Sequence, residues 1–138
     1  MANYTCTQST NHFRVTDEQR FEDLMSCLVA EDEIHVLSRI SEDGTVFHRF
    51  GSYSNIECLP DGDEDADYSI DWFLKEIQKI LPEKEAFMLF EVGDEKLRYV
   101  YGSALVVTRD NIASMEITEW AQMKAQELLG DDFHTKVD

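Results

Sequence analysis

Five carboxylates fall within seven residues, at Asp61, Asp63, Glu64, Asp65 and Asp67. Alternating oxygen donors of this kind resemble the opening of a calcium loop, where side chains at the first, third and fifth positions wrap a hard cation. The frame does not close. Starting at Asp61 puts Ala66 where the turn glycine belongs and Trp72 where the closing bidentate glutamate belongs. Starting at Asp65 closes on Glu76, but sets Ile70 at the glycine position and inside an expected helix. The run reads as a solvated or partner-facing acidic loop over 61–67, and no metal or other cofactor is expected.

His12, His35, His48 and His134, with Cys6, Cys27 and Cys58, are the right residue types for zinc, but no spacing among them suggests a closed four-ligand site. His35 and His48 are expected on neighbouring strands, where a cross-strand pair accounts for both. Cys27 borders an apolar helix stripe and reads as core filler, Cys6 falls in a start expected to be mobile, and Cys58 lies beside a sheet edge. No cysteine or serine has an evident base, and the glycines are scattered and turn-like, unlike a phosphate-cradling loop. Catalysis is therefore not expected. The alternative, a small hydrolase or metal-dependent enzyme, would need a pocket converging on His35, His48 and Cys58.

Charge is the dominant property of the chain. Its 29 acids and 12 bases leave a net −17 on 138 residues. A nucleic-acid binder needs a basic face, so direct binding to DNA or RNA is excluded as an expectation. Residues 1–60 carry −6, residues 61–67 carry −5 with no base, and residues 68–138 carry −6, so acidity is general with one sharp focus. Such charge either keeps an ordinary domain soluble or is a working surface offered to a basic partner in place of nucleic acid. A chain of this size spans about 37 Å, a length over which duplex DNA carries about 22 phosphates, so the two charge densities are comparable.

The elements that must position these groups follow from periodicity. His12 to Val15 reads as a short strand, and Thr16 as the cap of a helix with Phe21, Leu24, Met25 and Leu28 on its buried face, ending near Ala30. The acidic Glu31, Asp32 and Glu33 then form a loop. Ile34 to Ile40 and Thr45 to Phe50 predict a hairpin turning at Gly44, and 51–59 a bulged or edge strand. A second helix from Ser69 to Leu81 carries Ile70, Phe73, Leu74, Ile77 and Ile80 on one stripe and is stopped by Pro82. Trp72 lies off that stripe beside the acidic run, so it is expected to be exposed and to anchor a partner. Glu85 to Val92 and Leu97 to Thr108 predict central strands, and Ile112 to Ile117 one more. Thr118 would cap a last helix carrying Trp120, Ala121, Ala125, Leu128 and Leu129, with Trp120 expected in the core.

The order predicts one α+β domain over 1–138, with an antiparallel sheet of five or six strands and three helices: a ferredoxin-like core with additions. No apolar run reaches the roughly 20 residues of a membrane span. The start lacks a signal-peptide pattern and the three cysteines suit a reducing compartment, so the expected location is cytoplasmic.

The segments STNHFRVTDEQRFEDLM at 9–25 and EVGDEKLRYVYGSALVVT at 91–108 resemble small acidic accessory proteins of bacterial plasmids, phages and integrative elements. The first segment is similar to the start of YubB-type ferredoxin-like domains. The likeness covers about a third of the chain and identifies no active site. It implies a host-defence antagonist, such as an anti-restriction or anti-CRISPR inhibitor. The expectation is a non-enzymatic binding protein that occupies a basic channel of a defence nuclease or guide complex. Its contact surface would be Asp61, Asp63, Glu64, Asp65 and Asp67, helped by Glu31, Asp32, Glu33 and Trp72.

Overall fold

A computed structural model describes residues 4–60, 69–96, 99–132 and 134. The elements in chain order are β1 (Thr5–Thr10), α1 (Glu18–Met25), β2 (Leu28–Ala30), β3 (Ile34–Val36), β4 (Arg39–Ile40), β5 (Val46–Phe47), β6 (Phe50–Ser52), β7 (Ile56–Cys58), α2 (Asp71–Gln78), β8 (Phe87–Glu95), β9 (Tyr99–Val107), β10 (Ile112–Glu116) and α3 (Ile117–Leu129). Six strands form an antiparallel sheet in the order β10-β9-β8-β1-β6-β3, while β2 pairs with β7 and β4 with β5. Its four strands β8-β1-β6-β3, with α1 joining β1 to β3 and α2 joining β6 to β8, have the topology of a ferredoxin-like core. The expected architecture is met, and β9 and β10 are the additions.

The first strand lies at Thr5–Thr10, earlier than the expected 12–15. Only an isolated bridge, Phe13 to His48, remains of the latter. This strand is polar, so it carries no apolar alternation, yet it is central, with β6 on one side and β8 on the other. Cys6 is consequently part of the sheet and not of a loose start. Hydrogen bonds offset the burial of polar groups in β1. Gln8 Oε1 accepts from the Ile56 N–H at 2.9 Å, while its Nε2 donates to Asn55 and to Glu91 at 3.0 and 2.6 Å. The Thr10 hydroxyl accepts from the Phe50 N–H and donates to the Asn11 carbonyl.

The cap of α1 is Asp17, whose Oδ1 accepts from the Arg20 N–H at 2.9 Å. Thr16 is otherwise engaged: its N–H and hydroxyl both donate to the Ile80 carbonyl beyond α2. The helix stops at Met25 rather than near Ala30, because Leu28 to Ala30 instead pair with β7. The predicted hairpin forms around Gly44, whose φ of +86° suits a residue without Cβ. It is interrupted, so that its base, β3 and β6, joins the main sheet and its tip, β4 and β5, stands apart.

One sheet face carries Phe50, Phe87, Leu89 and Val107 and is covered by Phe21 and Leu24 of α1 and Phe73, Leu74 and Ile77 of α2. Phe13 lies edge-on to Phe87 at 4.9 Å and to Phe21 at 5.5 Å, and joins α1 to the sheet. Each such side chain contributes about 1.5–3 kcal/mol by burial. The other sheet face is open. No residue of α3 is buried, so the expected burial of Trp120 does not occur. Glu116 rather than Thr118 holds the cap position of that helix, and the Thr118 hydroxyl donates to the Glu116 carboxylate.

Candidate partner-binding surface

Glu31, Asp32 and Glu33 are exposed in the loop that carries the chain from β2 to the sheet edge at β3. The Asp32 N–H donates to Ser54 Oγ at 2.9 Å and the Glu33 N–H to Asp32 Oδ1 at 2.8 Å, which fixes the loop as a local turn. Among the described residues, none of these three carboxylates has an ion-pair partner. Asp61, Asp63, Glu64, Asp65 and Asp67 lie outside the described residues. Pro60, which precedes them in sequence, follows Leu59, whose N–H donates to the Cys27 carbonyl at 2.7 Å.

That bond ties Leu59 to the start of β2. In the β2–β7 pair Leu28 faces Cys58 and Ala30 faces Ile56, so Pro60 is at the Leu28 end and Glu31 at the Ala30 end. The two ends are roughly 10 Å apart at about 3.3 Å per strand residue. Glu22 and Asp23 lie in the last turn of α1, just before Cys27 and its bond with Leu59. Both are exposed, that turn carries no base, and Ser26 and Cys27 bond to the Asp23 carbonyl. Carboxylates at the carbonyl end of a helix add to its negative pole instead of cancelling it. The absence of a lysine or arginine there was the sequence signal that could have marked Glu22 and Asp23 as part of the surface.

Trp72 is half-buried and packs against the hydrophobic core, not exposed as expected. The cause is α1: the Arg20 guanidinium covers the ring at 5.8 Å from its centre and also bonds to Glu76. Trp120, expected in the core, is 44% exposed. Glu76, which would have closed a calcium loop from Asp65, is held between Lys79 and Arg20, and those two cations pull its carboxyl below the usual range.

His35, His48 and Cys58 do not converge. His35 pairs with Gly51 on the open face and lies edge-on to Tyr53 at 5.9 Å. His48 lies against Phe21 at 4.2 Å, with Nε2 at 2.7 Å from Glu18. Cys58 is fully buried in the core. The cross-strand pairing of His35 with His48 is thus replaced by the registers His35 to Gly51 and His48 to Phe13.

Sequence reasoning missed the open face. A trough of ≈ 840 Å³ runs between Tyr53, Val92, Val100 and Ile117, beside a hollow of ≈ 400 Å³ lined by Ser9, His35, Arg49 and Tyr53. No carboxylate lines the hollow. Arg49 Nη2 donates to Ser9 Oγ at 3.4 Å, and its buried Nε has no hydrogen-bond partner among the described residues. The register Ser9 to Gly51 to His35 brings this group together, and pairing between strands distant in sequence is not visible in spacing. No helix of the described residues is long and apolar enough to cross a membrane. No family model, no curated protein and no solved structure matches the chain.

Proposed function

We propose that the chain is a non-enzymatic binding protein that presents a nucleic-acid-like negative surface to a basic site of a host-defence nuclease or guide complex, as anti-restriction and anti-CRISPR inhibitors do. The observation that carries this reading is the negative pole at the end of α1. Glu22 and Asp23 are exposed there with no base in that turn, and Cys27, which follows it, accepts from Leu59, two residues before the five acids of 61–67 in sequence. A surface of this sign attracts a basic channel over long range and speeds encounter, most strongly at low salt. Carboxylates there would take the place of phosphates on the partner's lysines and arginines.

The test is competition. A panel of purified restriction nucleases and RNA-guided nucleases is incubated with the protein before DNA is added, and cleavage is followed at low and high salt. Inhibition of at least one nuclease, relieved by salt and by excess DNA, is the expected result. Absence of binding to every basic member of the panel at low salt would overturn the proposal.

A further inference from the structure

The apolar stripe of α3 is largely uncovered. At 100° per residue, Ile117, Trp120, Ala121, Ala125 and Leu128 share one side of the helix, the pattern of a face meant to be covered. Yet Leu128 is 75% exposed, and the main contacts of the helix with the sheet are at β9 and β10. Ile117, half-exposed, stands over Gly102, where an added Cβ would come within 3.1 Å of it. A 13-residue helix is marginal in water without tertiary packing. Next to it, β10 is the sheet edge, with Ile112, Ala113, Ser114 and Met115 all exposed. On the open face Phe90, Val92 and Val100 are exposed as well.

We infer that a second copy of this chain covers this end of the molecule, in a two-fold dimer joined along β10 and α3. Three observations single out the second copy. The first is area. Seven exposed side chains, Phe90, Val92, Val100, Met115, Ile117, Trp120 and Leu128, offer on the order of 700 Å² at about 100 Å² each, within the roughly 600–1,000 Å² per partner of a standard interface. The second is the edge itself: Ile112 to Met115 holds no charge, proline or bulge of the kind that normally blocks edge pairing. The third is register. Antiparallel self-pairing centred on Ser114 sets Met115 against Ala113 and Glu116 against Ile112, so no acid of the strand faces an acid of the other copy's strand. The two-fold operation makes the contact closed and self-complementary, and it extends the sheet across both copies.

The inference does not depend on the proposed function, and salt separates the two. Partner binding driven by charge weakens with salt, while an apolar junction between two acidic chains holds or tightens. The experiment is light scattering on eluted peaks, over a concentration series and at two salt levels, for wild type, S114K and L128E. The wild type is expected at twice the 16.0 kDa chain mass. S114K sets two lysines against each other only in the dimer, and at a free edge lysine is benign. Both variants are expected at the single-chain mass with an unchanged far-UV circular dichroism spectrum. A wild type that stays at single-chain mass at every concentration overturns the dimer. In that case a blue shift of tryptophan emission on phosphatidylcholine vesicles would assign the face to lipid. A dimer that persists in both variants overturns the β10–α3 junction.

Discussion

Arg20 of α1 holds two side chains of α2 at once: its guanidinium lies 5.8 Å from the centre of the Trp72 ring, and its Nη2 donates to Glu76 at 2.8 Å. This relationship explains why the tryptophan nearest the acidic run is part of the fold. Replacing Arg20 with Ala should lower stability by about 1–3 kcal/mol, through the lost charge-assisted bond and the uncovered ring. Lysine should restore part of that loss. Urea unfolding of the two variants checks both values.

Trp72→Ala follows the same logic. The side chain packs on the core, so its removal should cost about 2–4 kcal/mol of stability, and should leave the association rate with a basic partner unchanged when measured on folded protein. A variant with wild-type stability and slowed association would return Trp72 to the contact surface.

Gln8 should be among the least replaceable polar residues. Leucine there leaves the Ile56 N–H without its acceptor and Glu91 without one of its donors. A loss of about 2–4 kcal/mol is expected, read as a lower urea midpoint. Glu91 also accepts from the Tyr4 hydroxyl at 2.7 Å, and burial, reinforced by that bond, raises the Tyr4 phenol well above its ordinary value.

Acid should unfold the protein through Glu76 and Glu85. Lys79 and then Arg20 hold Glu76 below its ordinary 4.5, and Arg14 does the same for Glu85. Folded values below unfolded ones mean that the stabilisation is complete above about pH 4.5 and is lost as pH falls through the folded values. Thermal melts between pH 6 and pH 2 should therefore decline below about pH 4.5. Glu76→Gln should be less stable than wild type at pH 6 by about 1 kcal/mol, with the gap closing in acid.

Much of the fold was legible. The stripe from Phe73 to Leu81 is buried as its spacing predicts, with Ile70 half-buried, and the two long strands ending at Glu95 and Val107 take interior places in the sheet. The first strand was not legible, because Thr5, Thr7, Gln8 and Thr10 are polar and owe their place to partners at residues 50–56 and 89–94. Trp120 and Trp72 exchanged expected environments for a related reason. Periodicity marks which side of a helix wants cover, and says nothing about whether another part of the same chain supplies it. For the candidate surface, charge was visible and neighbourhood was not: Glu22 and Asp23 are far from Leu59 in sequence, yet the helix they end is tied to it through the Cys27 carbonyl, while Glu31 to Glu33 follow the opposite end of the β2–β7 pair.

The central claim is that clustered carboxylates steer this protein to a basic partner. The most direct measurement is the association rate with a nuclease captured from the panel, across a salt series, for wild type and for a variant with Asp61, Asp63 and Asp65 and Asp67 changed to Asn and Glu64 to Gln. Slower association and a flatter salt dependence in the variant, with the dissociation rate less affected, is the predicted result. Equal rates and equal salt slopes for the two proteins would contradict it.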